Sequence, residues 1–222
     1  MTHRDALPQL DRELYLTDSG LETDLIYNQD VDLPQFAAFP LLDDGEGTRR
    51  LRSYFASHVA IAAQADVGFV FESVTWRASA DWGALLGYDT DALDRVNRKA
   101  IDLPVEVRAE WESSHRPYPI SGCLGPRDDG YAPGTLMTAQ AAHAYHRPQI
   151  ATFADTPADL VTAMTLTYPD EAIGIAWAAR DVEIPLVLSF TLETDGNLPT
   201  AAPWRRPSRL STTRPTPTRP IT

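Results

Sequence analysis

One cysteine in 222 residues, Cys123, rules out an internal disulfide. A lone thiol fits a reducing cytoplasm. Long apolar runs are missing too: none approaches the roughly 18 residues a bilayer span needs. The opening Met-Thr-His-Arg-Asp lacks the apolar centre of a secretory signal. The expected location is therefore cytoplasmic, with no membrane partner. Basic charge is in deficit, 19 Lys and Arg against 31 Asp and Glu, for a net −12. That balance argues against nucleic acid or an anionic surface as the main partner. No Gly-x-Gly-x-x-Gly and no phosphate loop follows the first strand-like run, which leaves a nucleotide-binding reading without support. No internal repeat is present.

What the chain does have is a series of short apolar runs, each ending in small or polar residues. Residues 14–17 (Leu-Tyr-Leu-Thr) stop at Asp18-Ser19-Gly20. Runs at 67–71, 118–123, 159–165 and 185–191 predict four more strands. Between them, apolar residues recur at spacings of three and four. Leu51, Tyr54, Phe55, His58, Val59 and Ala62 form one such set. Asp89 or Thr90 can cap a second helix carrying Leu93, Val96, Ala100 and Ile101, which Pro104 is expected to end or kink. Helices are also predicted over 138–153, despite Pro148, and over 170–180. In the loop 28–47, Phe36 and Phe39 are the expected packing anchors. Strands alternating with helices predict βαβ units and a parallel sheet. Spacing alone leaves an open doubly wound sheet and part of a barrel equally available.

In parallel-sheet folds, ligand chemistry gathers at the carboxyl ends of the strands. Asp18 sits at such an end, where it either orients a ligand or caps the following turn. Thr75, after the second strand, divides between a substrate contact and a backbone-bonding hydroxyl. Glu22 reads as a solvated first-turn acid. Glu72 stands beside an apolar strand, and buried carboxylates are rare unless paired; the strand's phase leaves open whether it faces a loop. Cys123 reads as a small packed residue. His143 and His146 have helical spacing that can bind metal, yet with no third ligand nearby they read as surface or packing residues. Trp76, Trp82, Trp111 and Trp177 read as core or loop anchors.

Five segments, in order, resemble the homocysteine S-methyltransferase family, zinc-dependent thiol methylases built on a (β/α)8 barrel. Residues 16–25 (Leu-Thr-Asp-Ser-Gly-Leu-Glu-Thr-Asp-Leu) are similar to its Asp-Gly-Gly-x-x-Thr-x-Leu opening, with Ser19 at a glycine position. Residues 73–79 (Ser-Val-Thr-Trp-Arg-Ala-Ser) resemble its Thr-Asn-Thr-Tyr-x-Ala-Ser segment. Residues 121–126 (Ser-Gly-Cys-Leu-Gly-Pro) are similar to its Gly-Pro turn, 159–172 to its fourth-strand element, and 189–199 to its fifth-strand exit. The resemblance covers residues 10–200. It implies a small-molecule thiol acceptor, a sulfonium-type methyl donor and a place in methionine biosynthesis. It also implies substrate contacts at Asp18, Ser19, Gly20, Thr75 and Thr165. The family glutamate that holds the substrate's amino group is matched here by Met164. The family's zinc cysteines, in Gly-x-Asn-Cys and Gly-Gly-Cys-Cys, have no counterparts. No zinc is therefore expected on this chain, and catalytic residues stay unassigned.

The expected architecture is an incomplete TIM-type barrel of about five βα units over 1–200, then a disordered tail over 201–222. That tail holds five Arg, five Pro, five Thr and no acid, and buries too little apolar surface to fold. Its abrupt onset resembles a shifted reading frame, with a native extension as the alternative. The expectations for function are a silent thiol methyltransferase chain or, alternatively, a non-catalytic module that self-associates through an open sheet edge.

Overall fold

The computed structural model describes residues 3–11, 13–111 and 117–200. The predicted tail, 201–222, lies outside the described residues. Among the described residues five strands form one parallel sheet in sequential order: β1 (Tyr15–Thr17), β2 (Gly68–Glu72), β3 (Ile120–Leu124), β4 (Leu160–Leu166) and β5 (Leu186–Phe190). Six α-helices among the described residues accompany them: α1 (Leu21–Tyr27), α2 (Gly45–Gln64), α3 (Ala80–Leu85), α4 (Thr90–Trp111), α5 (Ala139–Ala154) and α6 (Pro169–Asp181). Each strand pairs with the next in parallel register, Leu16 opposite Phe69, Phe71 opposite Ile120 and Gly122 opposite Val161. This is the strand order of a (β/α)8 barrel, carried through five units. No helix among the described residues is long and apolar enough to cross a membrane.

Period-two alternation sorts each strand into a helix-facing and an inner side. Phe69 and Phe71 pack in the helix-side core with Phe55 and Ile120, all fully buried. Burying side chains of this size contributes about 1.5–3 kcal/mol each. A Cβ on Gly122 would meet the Phe153 ring at 2.5 Å, so α5 sits directly on β3 and tolerates no side chain there. Val161 and Ala163 also belong to that core. The alternate set, Glu72, Ser121, Cys123, Thr162 and Met164, is left on the inner side. Barrel interiors are usually filled by branched apolar residues; here polar Glu72, Ser121 and Thr162 share the inner side with Val70, Cys123 and Met164.

Helix boundaries follow local chemistry. Asp44 caps α2 by accepting from Gly47 N at 2.8 Å, and Thr138 caps α5 by accepting from Ala141 N at 3.2 Å. Asp89 accepts from Ala92 N at 2.8 Å at the start of α4. Pro104 does not end α4, which runs on to Trp111. An internal proline costs about 3 kcal/mol in a free helix; burial of Ile101, Leu103, Pro104 and Val107 on one face offsets that cost. Pro148 is carried inside α5 in the same way. Phe39 is fully buried as expected, but Phe36 stays over a third exposed, edge-on to Trp76.

The amino ends of the strands are closed by a satisfied ion pair. Asp159 Oδ2 accepts from Ile120 N at 2.8 Å and from Arg108 at 3.3 Å, and Oδ1 accepts from His3 N. Arg4 reaches the carbonyls of Ala158 and Thr156 at 2.8 and 2.7 Å.

Candidate functional site

The opposite ends of the strands surround a cavity of about 330 Å³. Its wall begins where β1 stops. Gly20 turns the chain through φ +49 into α1, a left-handed position that favours glycine. Tyr54, on the buried face of α2, reaches this turn. Its hydroxyl hydrogen is shared between Asp18 Oδ2 at 3.2 Å and the Ser19 carbonyl at 3.0 Å, and its oxygen accepts from Ser19 N at 3.2 Å. Burial raises the Asp18 pKa despite the Tyr54 bond and the attraction of His58.

Glu22, one turn on, also lines the cavity, and burial lifts its pKa to about 7. Glu72 comes in from the end of β2. Its Oε1 accepts from Thr162 at 2.9 Å, and Thr162 is in turn bonded to Ser121 at 2.7 Å. Burial again outweighs these bonds and moves the Glu72 pKa to about 8. Its Oε2 is sealed from solvent with no hydrogen-bond partner among the described residues.

The far wall is Met164 and Thr165. The β4–β5 register shifts between Ala163 and Leu166, and Thr165 lies within that irregularity at φ +57. A β-branched residue in the left-handed region carries strain of order 1–3 kcal/mol, the kind that gathers at functional sites. The Thr165 hydroxyl donates to the Met164 carbonyl at 2.7 Å and accepts from Trp76 Nε1 at 3.2 Å. Beyond Trp76, the Arg77 guanidinium is stacked 4.3 Å from the Trp76 ring and 3.6 Å from the Trp82 ring. It pairs with Asp129 at 3.4 Å, fixing the loop after β3. Both tryptophans are anchors, as expected.

Of the residues expected to contact substrate, Asp18, Gly20 and Thr165 line this cavity. The Ser19 side chain points away, bonding His58 Nε2 at 3.2 Å in a polar groove between α1 and α2. Thr75 is fully buried behind the wall; its hydroxyl donates to the Cys123 carbonyl at 2.6 Å and ties the exit of β2 to β3. Cys123 is a packed residue, its thiol pushed up by burial and by the negative charges of Glu72, Glu22 and Asp18. That environment disfavours a reactive thiolate. His143 and His146 are buried between α5 and α6, bonded to Asp181 at 2.8 Å and Glu171 at 2.9 Å. Sequence reasoning missed Tyr54 as a partner of Asp18 and read Glu22 as solvated. The periodicity that marked Tyr54 as helical says nothing about what its hydroxyl meets.

Among the described residues no cluster of three or more His, Cys, Asp or Glu side chains is placed to hold a metal ion. The described residues, with Cys123 buried and alone, do not fit a thiolate zinc site.

The sequence profile of the homocysteine S-methyltransferase family matches residues 15–206. No curated protein sequence matches significantly. Among solved structures, the metallated form of the homocysteine methyltransferase MmuM from Escherichia coli superposes with TM-score 0.71 at 18% identity, covering 87% of this chain and 69% of that one. Its oxidized form gives 0.71 at 21% identity, covering 87% and 68%, and its apo form 0.62 at 22%, covering 87% and 66%. The chain thus spans about two thirds of those proteins. Identities this low show the shared fold alone.

Proposed function

The chain belongs to the homocysteine S-methyltransferase family, and from that membership we propose that it carries the substrate-binding part of a thiol S-methyltransferase. The donor is of sulfonium type and the acceptor a small thiol. The observation that carries this reading is the cavity lined by Asp18, Gly20 and Thr165 at the strands' carboxyl ends. In it Asp18 holds the polar end of the substrate, with Tyr54 fixing the carboxylate's orientation. Gly20, lacking a side chain, leaves the start of α1 open to a ligand. Thr165 borders the far wall beside Met164, whose flexible apolar side chain offers no charge to an ammonium group. Ser19 and Thr75 act from behind, Ser19 through its backbone bonds to Tyr54 and Thr75 through its tether to β3.

Thiolate-bound zinc would keep a substrate sulfur ionised near neutral pH. This chain's one cysteine is the buried Cys123 on β3. We infer that the 222 residues by themselves transfer no methyl group. A cytoplasmic place in methionine metabolism belongs to the same proposal. Calorimetry with L-homocysteine and related thiols, followed by a zinc-supplemented methyl-transfer assay, tests both parts. Binding that weakens about tenfold in Asp18→Asn, without turnover, is expected, since a charged hydrogen bond contributes roughly 1.5–3 kcal/mol. Clear turnover overturns the silence, and absence of binding overturns the pocket.

A second reading is favoured by one observation. Among the described residues β2 is the strand paired with β1 and β4 the strand paired with β5, and Val187 on β5 is 44% exposed. Such an edge invites pairing with another copy. Light scattering that finds a monodisperse dimer supports a self-associating module; a monomer at tens of micromolar overturns it.

A further inference from the structure

Glu72 is a half-buried acid that lines the cavity and has no role in the substrate contacts above. Its Oε1 is held by Thr162, so the carboxyl is fixed on two rigid strands. Its Oε2 has no partner among the described residues, although the side chain lines the cavity. An unpartnered, buried carboxyl oxygen is costly, and it is maintained here beside two more acids, Asp18 and Glu22. The titratable groups around Glu72 are Asp18 at the exit of β1, whose charge acts on it, and Glu22, Cys123 and Tyr131, which line the same cavity. The neighbouring residues of β4, Thr162, Met164 and Thr165, are uncharged. Arg77 acts on Glu22 and is committed to Asp129. Among the described residues the cavity lining holds acids and no cation.

We propose that Glu72 is the anchor for a compact organic cation on the ligand, and that the cation displaces a proton from Glu72 when it binds. This rests on the reading of the cavity as a sulfur-substrate site and deepens it. The Glu72 O–H bond breaks, its proton passes to solvent, and the carboxylate left behind pairs with the incoming positive charge; nothing is oxidised or reduced. With a pKa of about 8, Glu72 is roughly nine-tenths protonated at pH 7, so nearly one proton per ligand is available for release. The cation can be the ammonium of an amino-acid thiol or the sulfonium of a methyl donor, which share this chemistry.

Titration calorimetry at pH 7 in two buffers of different ionisation enthalpy separates these cases. The probes are L-homocysteine (ammonium only), trimethylsulfonium (sulfonium only) and 4-mercaptobutyrate, which keeps the thiol and carboxylate but lacks the ammonium. At least one cationic probe is expected to bind with release of close to one proton. 4-Mercaptobutyrate is expected to bind at least tenfold more weakly than L-homocysteine, or to release none. In Glu72→Gln the same cationic probe is expected to lose about tenfold in affinity and all proton release. Carbon-13 NMR of the wild-type glutamate carboxyls needs no variant: the Glu72 resonance should move from its protonated to its ionised position on ligand addition. Cation binding without proton release, unchanged affinity in Glu72→Gln, or a stationary Glu72 resonance overturns the proposal and leaves the substrate pocket standing. Failure of every probe to bind overturns the pocket reading, and this proposal with it.

Discussion

The two ends of this sheet treat their acids in opposite ways. At the amino ends, Asp159 is fully enclosed and fully paired, with Arg108, Ile120 N and His3 N around it. At the carboxyl ends, Asp18, Glu22 and Glu72 are half-buried with raised pKa values, and one oxygen of Glu72 has no partner among the described residues. The first arrangement is what stability selects, since every buried charge has its counterpart. The second is costly in the empty protein and becomes favourable only when something positive arrives. Barrel folds divide stability and chemistry between their two ends, and here that division is written in hydrogen bonds.

The most severe break of this contrast is Asp159→Ala. It strands Arg108 in the interior and should cost about 3–5 kcal/mol, read by urea denaturation. A loss below 1 kcal/mol would mean that the amino-end pair is no better satisfied than the acids opposite.

Next in size is the pH response of the carboxyl end. Glu72 is shifted from 4.5 to about 8 and Glu22 from 4.5 to about 7. Both folded values lie above the unfolded one, so the stability these groups contribute is complete below about pH 4.5. It is lost as pH rises through about 7 and then 8. The melting temperature should therefore fall from pH 5 to 8.5. Glu72→Gln should flatten that fall and leave the variant roughly 1–3 kcal/mol more stable than wild type at pH 8.5, given about 1.4 kcal/mol per pKa unit. An unchanged slope would erase the distinction between the two ends.

Tyr54→Phe sharpens the contrast at a single bond. It should cost about 1 kcal/mol of stability. Because the Tyr54 bond lowers the Asp18 pKa, its loss should raise that value further, visible in an NMR titration of Asp18. The smallest effect is expected at the sheet edge, away from both ends. Val187→Lys should change stability by less than about 0.5 kcal/mol, while shifting any self-association seen by light scattering toward monomer.

Much of this was legible before the fold. Short apolar runs ending in turn residues located all five strands, and the period of Leu51, Tyr54, Phe55 and Val59 located α2. Asp18, Gly20 and Thr165 were placed at strand exits and do line the cavity. Pro104 does not end α4 because proline's cost is local, whereas the burial that offsets it comes from α4 lying against the rest of the core. Short α1 and α3 carry too few residues to show a period. Thr75 and Ser19 sit at the right places in the chain, yet their side chains face the β3 backbone and His58.

Sequence by itself determined the alternation of strand and helix, the parallel sheet, the acidic balance and the family pattern around Asp18. These depend on periodicity and neighbouring residues, which a linear chain displays. Only the tertiary structure decided that Glu72 faces inward onto Thr162, that Tyr54 holds Asp18, and that Asp159 finds Arg108 while Glu72 meets no cation among the described residues. A carboxylate's state is set by how much water its surroundings exclude and by which charges come within a few ångströms. Those surroundings are assembled from residues some 36 to 90 positions apart.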